Sequence, residues 1–125
     1  MSENQFSAIP LLDSDQVLEV KLMDDEQKAF TRRLVFSWQE TRDTTVKGMA
    51  SAFEEKNWGV ISKLAHRFKG SCSGIGALRL KHILECIEKE SKRENIEQIS
   101  TLWECAAAEM EETLADLKKA FSHLP

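Results

Sequence analysis

Residues 57–77 read NWGVISKLAHRFKGSCSGIGA. Ile61, Leu64, Ala65, Phe68 and Cys72 recur there at intervals of three and four, so on a helix they form one apolar stripe. At about 100° per residue, His66 points roughly 130° away from the centre of that stripe. A histidine packed in a core would lie on it. The neighbours of His66 on its own face are Gly59, Ser62, Lys69, Gly70 and Ser73, and all but Lys69 are small. A glycine inside a helix costs about 1 kcal/mol relative to alanine. Helix stability therefore does not account for two of them on one face, whereas the close approach of something bulky does. Asn57 is a natural N-cap. The helix is expected to run to about Ser73, with Gly74 and Gly76 making the turn that follows.

The flanking segments carry the same periodicity. Asp13 or Ser14 caps a short first helix that ends near Leu22. Asp24 is expected to open a long second helix, in which Phe30, Leu34, Trp38, Thr41, Thr45, Met49 and Phe53 share a face to about Lys56. A kink near Asp43 to Gly48 is compatible with the pattern. Beyond the turn, Leu80, Ile83, Leu84 and Ile87 mark a helix over about 77–92. Asn95 with Gln98 resembles a capping box and opens a last helix whose stripe runs from Ile99 to Phe121. The expected fold class is all-α: an antiparallel four-helix bundle with a short extra N-terminal helix. Residues 1–12 are expected to be a flexible lead-in, and 13–125 a single domain. Trp38, Trp58 and Trp103 suit core or edge packing.

Composition narrows the function. A chain of 125 residues suits one domain. It has no run of about 18 apolar residues that would span a membrane, and its first ten residues lack the basic and apolar regions of a secretory signal. Cys72, Cys86 and Cys105 are odd in number and show no CxxC spacing, as expected for reduced thiols. A cytoplasmic location is expected, nuclear as well in a eukaryote. The formal net charge is −4, but it is unevenly spread. From Lys56 to Leu84, 29 residues, there is no acid, and six basic residues (Lys56, Lys63, Arg67, Lys69, Arg79 and Lys81) lie there. Such a patch around His66 attracts an acidic partner or a phosphate. Nucleic acid fits less well, because the rest of the chain is acidic.

Competing motifs are weak. GSCSGIG lacks the preceding strand, the glycine spacing and the following lysine of phosphate-binding loops. His66, His82 and His123 form no short ligand pair, so no metal is expected. His82 falls opposite its helix's apolar stripe, without a lysine at i+3, and His123 is near the C-terminus. No serine or cysteine has the partners of a catalytic triad.

AHRFKGSCSGIGA resembles the centre of the histidine-containing phosphotransfer (HPt) domain, whose pattern is H-x-x-K-G-S followed by G-A. The downstream LKHILECIEKESK and the upstream NWGVISKLAH are similar to the adjoining parts of that family, so the likeness covers about Trp58 to Lys92. It implies a free-standing phosphorelay intermediate in two-component signal transduction. His66 would take a phosphoryl group from an aspartyl phosphate on one response-regulator receiver domain, which could belong to a hybrid sensor kinase. It would then pass the group to an aspartate on another receiver. Lys69 would offset the phosphoryl charge, and Gly70 would leave room for the receiver. Ser71 would contribute to the rim, and Ser62, Lys63, Arg67 and Ser73 would complete the partner surface. Some members carry an arginine near the phosphate on the following helix; Lys92 or Arg93 falls near that place. The implied protein is a monomeric covalent phosphocarrier with no cofactor of its own and no independent kinase or hydrolase activity, the receiver supplying Mg²⁺. The alternative from another class is a non-catalytic helical adaptor that binds a receiver or other acidic partner through the same basic face.

Overall fold

The computed structural model describes residues 5–25 and 27–122, and it forms five helices: α1 (Ser14–Leu22), α2 (Ala29–Glu54), α3 (Trp58–Ile75), α4 (Leu78–Lys92) and α5 (Ile96–Ser122). Among the described residues there is no strand. The α2–α3, α3–α4 and α4–α5 pairs pack extensively, joined by connections of two or three residues. Such short links force antiparallel neighbours, and the expected bundle with its short N-terminal helix results. Among the described residues no helix is long and apolar enough to cross a membrane.

Side chains set the helix ends. The Asp13 carboxylate accepts from the Asp15 and Gln16 amides and starts α1. Asn57 Oδ1 accepts from the Val60 amide and starts α3, as the sequence indicates. Asn95 Oδ1 accepts from the Gln98 amide. The long second helix begins later than Asp24. The Asp24 carboxylate instead reaches forward to the Thr31 amide and hydroxyl, the latter at 2.6 Å, while Asp25 takes the Ala29 amide. Lys28 enters the helix in the left-handed region, at φ 58°. These two aspartates satisfy amide groups that an α-helix leaves unpaired at its start. At the other end of α3 the turn belongs to Gly76 alone: its φ is 89°, whereas Gly74 is still helical. A side chain at Gly76 would be strained there and would press on Val17 and the Asp13 carbonyl.

The core runs the length of the bundle. It holds Trp38 and Met49 of α2, Ile61, Phe68 and Ile75 of α3, Leu80 to Ile87 of α4 and Ile99 to Leu117 of α5. Trp38 is fully buried, with its ring centroid 5.5 Å from that of Phe68. Its indole N–H donates to Cys72 Sγ at 3.4 Å. At Gly48 a Cβ would lie 2.8 Å from Leu64 Cδ1, so a larger residue there would have to displace the Leu64 side chain. Trp58 and Trp103 pack at the edge of the core. Part of the lead-in expected to be flexible lies against the bundle. Phe6 is buried, and the Arg79 guanidinium donates to the carbonyls of Ile9 (2.7 Å) and Ser7 (3.2 Å) while pairing with Glu109.

Burial pushes the Cys72 thiol up to about 12, against a smaller opposing effect of the Trp38 hydrogen bond. A thiolate is the reactive form, so native Cys72 is inert at neutral pH. Cys86 and Cys105 are only half-buried. Maleimide is expected to label them first and to reach Cys72 at the rate of unfolding. Rapid labelling of Cys72 in the native protein, read by mass spectrometry, would contradict this packing.

Candidate functional site

α3 presents one face to the core and the other to solvent. Ile61, Ala65, Phe68, Cys72 and Ile75 point inward, which leaves the His66 side chain 70% exposed. Gly59, Gly70, Ser73 and Gly74 around it are exposed as well. A Cβ built on Gly70 or Gly74 would meet nothing within 4 Å. The small residues are therefore not required by packing inside this chain, and they leave a flat approach to the imidazole.

The ring is held from the neighbouring helix. His66 Nδ1 lies 3.0 Å from Glu88 Oε2, and Lys69 Nζ lies 2.7 Å from Glu88 Oε1. One carboxylate on α4 thus engages both residues of α3. A carboxylate only accepts hydrogen bonds, so Nδ1 carries the proton and donates it to Glu88. In the neutral ring the lone pair is then on Nε2, the nitrogen free to react. Burial alone would raise the Glu88 carboxyl. The hydrogen bonds from Lys69 and His66, with their charges, outweigh it and hold the group below its ordinary 4.5.

Glu88 is the residue that the sequence reading missed. It lies 22 positions from His66 and outside the acid-free window. A signal was present nonetheless. His66 is ten residues before Gly76, and Glu88 is eleven after Ala77, so an antiparallel pair folded at that turn sets them level. The local charge is correspondingly less positive than a count along the chain suggests. Arg79, one of the six basic residues, is turned to Glu109 and the N-terminal segment. Lys69 is already paired with Glu88. Lys63 and Arg67 are exposed on α3, and Ser62 is half-buried. Helix geometry puts Ser71 about 140° round α3 from His66, and it is half-buried, so it flanks the site without facing it. On α4, Lys92 is exposed one turn beyond Glu88, whereas Arg93 pairs with Glu90 at 3.0 Å. Of the two, Lys92 is the one on the Glu88 face. His82 is exposed, and His123 lies outside the described residues.

Glu88 is placed to orient the imidazole, and its variants separate the hydrogen bond from the charge. Glu88→Gln keeps an oxygen for the Nδ1–H and loses the charge; Glu88→Ala loses both. Reaction at Nε2 is expected to fall roughly tenfold to a hundredfold in Glu88→Ala, less in Glu88→Gln, given what a charge-assisted hydrogen bond contributes. The ¹⁵N imidazole shifts should show the fixed tautomer in the parent and Glu88→Gln, and a tautomer mixture in Glu88→Ala. An unmixed tautomer in Glu88→Ala would remove the positioning role. Because the folded Glu88 carboxyl is depressed, its contribution to stability is complete above the ordinary glutamate value of 4.5. That contribution is lost as the pH falls through the depressed one.

Comparison with known proteins bears on this arrangement. The family model described as Hpt domain matches residues 33–120. Multistep phosphorelay regulator 1 of Schizosaccharomyces pombe (strain 972 / ATCC 24843) is 31% identical over 74 residues, which make up 59% of this chain. They are 24% of that protein, so the chain spans about a quarter of its relative's length. Among solved structures, histidine-containing phosphotransfer protein B (HptB) from Pseudomonas aeruginosa PAO1 superposes with a TM-score of 0.81 at 17% identity, covering 94% of this chain and 99% of that one. A rice protein described as a candidate histidine-containing phosphotransfer protein gives a TM-score of 0.73 at 16% identity, covering 95% and 82%. At these identities the two structures speak for the fold.

Proposed function

Because this chain belongs to the Hpt domain family, we propose that it is a phosphorelay intermediate whose His66 carries the phosphoryl group between receiver-domain aspartates. The observation that supports this most directly is the exposed imidazole whose Nδ1 is occupied by Glu88. In the forward step the Nε2 lone pair attacks phosphorus, the P–N bond forms, the P–O bond to the donor aspartate breaks, and a carboxylate leaves. Nδ1 keeps its proton, so the phosphorylated ring is cationic, and Glu88 faces that charge. Lys69 is the ammonium one turn from the ring and turns from Glu88 toward the phosphoryl oxygens. Alignment and charge stabilisation carry most of such a transfer. The reverse sequence delivers the group to the next receiver.

The receiver brings the Mg²⁺ and its own acidic pocket, so this chain contributes the nucleophile and a basic, sterically open surface. Lys63, Arg67 and Lys92 supply charge complementarity, which mainly accelerates encounter. The surface continues from Ser73 and Gly74 onto α1, where Gln16 Nε2 donates to the Gly74 carbonyl. Leu18 and Leu22 of α1, and Met23 just after it, are exposed and would give docking an apolar component. The chain acts as a monomer in the cytoplasm.

Incubation with a receiver domain phosphorylated at its aspartate tests the reading. Transfer of an acid-labile, base-stable phosphate, located on His66 by mass spectrometry, is the expected result. Binding of the receiver without transfer would favour an adaptor in its place. Lys69→Ala is expected to slow transfer or shorten the phosphohistidine lifetime with the helical signal intact, and unchanged kinetics would remove Lys69 from the mechanism.

A further inference from the structure

α2 and α5 lie farther apart than the other neighbouring helices; the Arg42–Glu111 ion pair joins them midway, and a groove of about 620 Å³ lies between the first turns of α2 and the last turns of α5. That volume is within the usual range for sites that bury a ligand. Val35, Phe36 and Phe121 supply its apolar surface, and Lys28, Arg32 and Lys118 its charge. Phe36 is 61% exposed, a large aromatic left in water beside the core.

The charge is one-sided. Among the described residues no carboxylate lines the groove, and none of its three cations has a salt-bridge partner. Asp24 reaches Thr31 on the groove's margin, but its oxygens accept from the Thr31 amide and hydroxyl. In a chain of net charge −4, three such cations around an apolar floor do not follow from composition. Lys28 and Arg32 stand one turn apart on α2, and Lys118 faces them from α5. An occupant therefore meets positive charge on both sides of an apolar centre.

We propose that this groove is a second docking site, which takes an acidic amphipathic peptide segment of a partner protein. A bulky apolar side chain of the segment lies on Val35, Phe36 and Phe121, and flanking carboxylates pair with Lys28, Arg32 and Lys118. This is the helix-in-groove mode of recognition with the charge supplied by the groove. His66 is on the α3–α4 face, so the groove and the phosphoacceptor can be engaged together. The inference does not depend on phosphotransfer.

A random dodecapeptide phage library selected on the intact protein, with counter-selection on the Arg32→Glu/Lys118→Glu double variant, tests it. Enrichment of peptides that place Asp or Glu around an aromatic or aliphatic residue is expected. A synthetic, fluorescein-labelled copy of the most enriched peptide should shift the backbone amide resonances of 31–39 and 118–121. It should bind at least tenfold more weakly to the double variant and to Phe36→Ser, and unchanged to His66→Gln. All substituted side chains are at the surface, and matching melting curves confirm that the variants fold. Selection of no peptides, of peptides without acidic bias, or of peptides whose shifts map to α3 and α4 would each overturn the proposal. So would binding through these same residues to phosphatidylserine vesicles, or to a second copy of the chain in sedimentation, in place of the peptide.

Discussion

His66→Gln is expected to abolish phosphate acceptance from a phosphorylated receiver while leaving the fold intact. Glutamine offers an amide of comparable reach but no nitrogen lone pair able to attack phosphorus, so the covalent path is removed rather than slowed. The side chain is 70% exposed, and surface substitutions of this kind usually change stability by no more than about 0.5 kcal/mol. The loss therefore has to be chemical. Transfer assays with radiolabelled receiver, alongside thermal melts, read both quantities. Residual base-stable label on the variant would mean that the phosphoryl group resides elsewhere, and the functional reading would fail.

Gly70→Gln is expected to weaken receiver binding by tenfold or more, about 1.4 kcal/mol, with little change in stability. The expectation depends on where the free space is. Nothing in this chain lies within 4 Å of a Cβ at Gly70, and leaving the glycine gains helix propensity. The isolated variant should melt at or slightly above the parent temperature. In the complex the added side chain must occupy volume between α3 and the receiver, one turn from the reacting nitrogen. Titration calorimetry with an unphosphorylated receiver separates the two effects. Unaltered affinity would show that the partner does not pack over this part of α3. The contrast with Gly48 is instructive: there the obstacle would be Leu64, inside the molecule, and a larger residue should cost stability before it costs binding.

The helices were legible because their apolar residues repeat with the helical period and the connections are too short to permit other topologies. Local caps were legible when the side chain acts within three residues, as with Asn57 and Asn95. The start of α2 was not, because Asp24 acts seven residues ahead on Thr31, a link with no short sequence pattern. Gly74 and Gly76 look equivalent in the chain. Only the backbone shows that one is helical and the other turns. His66 and Lys69 could be found because helix spacing alone puts them on one face. Glu88 came from another helix, where the needed quantity is distance across a hairpin. The same limit explains Arg79, counted with the basic surface yet committed to Glu109 and the Ser7 and Ile9 carbonyls.

The placement of Glu88 also bears on how long a phosphoryl group can remain. Its Oε2 is held by Nδ1–H, on the edge of the ring away from Nε2, and would stay there when Lys69 turns toward the phosphoryl oxygens. The carboxylate is thereby denied the geometry of a general base for water at phosphorus. A phosphohistidine on so exposed a side chain would not be sheltered from solvent; it would persist because Glu88 is held away from the phosphorus. Storage of the phosphoryl group would then be a kinetic property of where one carboxylate is held, and its discharge would wait on the machinery of the next receiver.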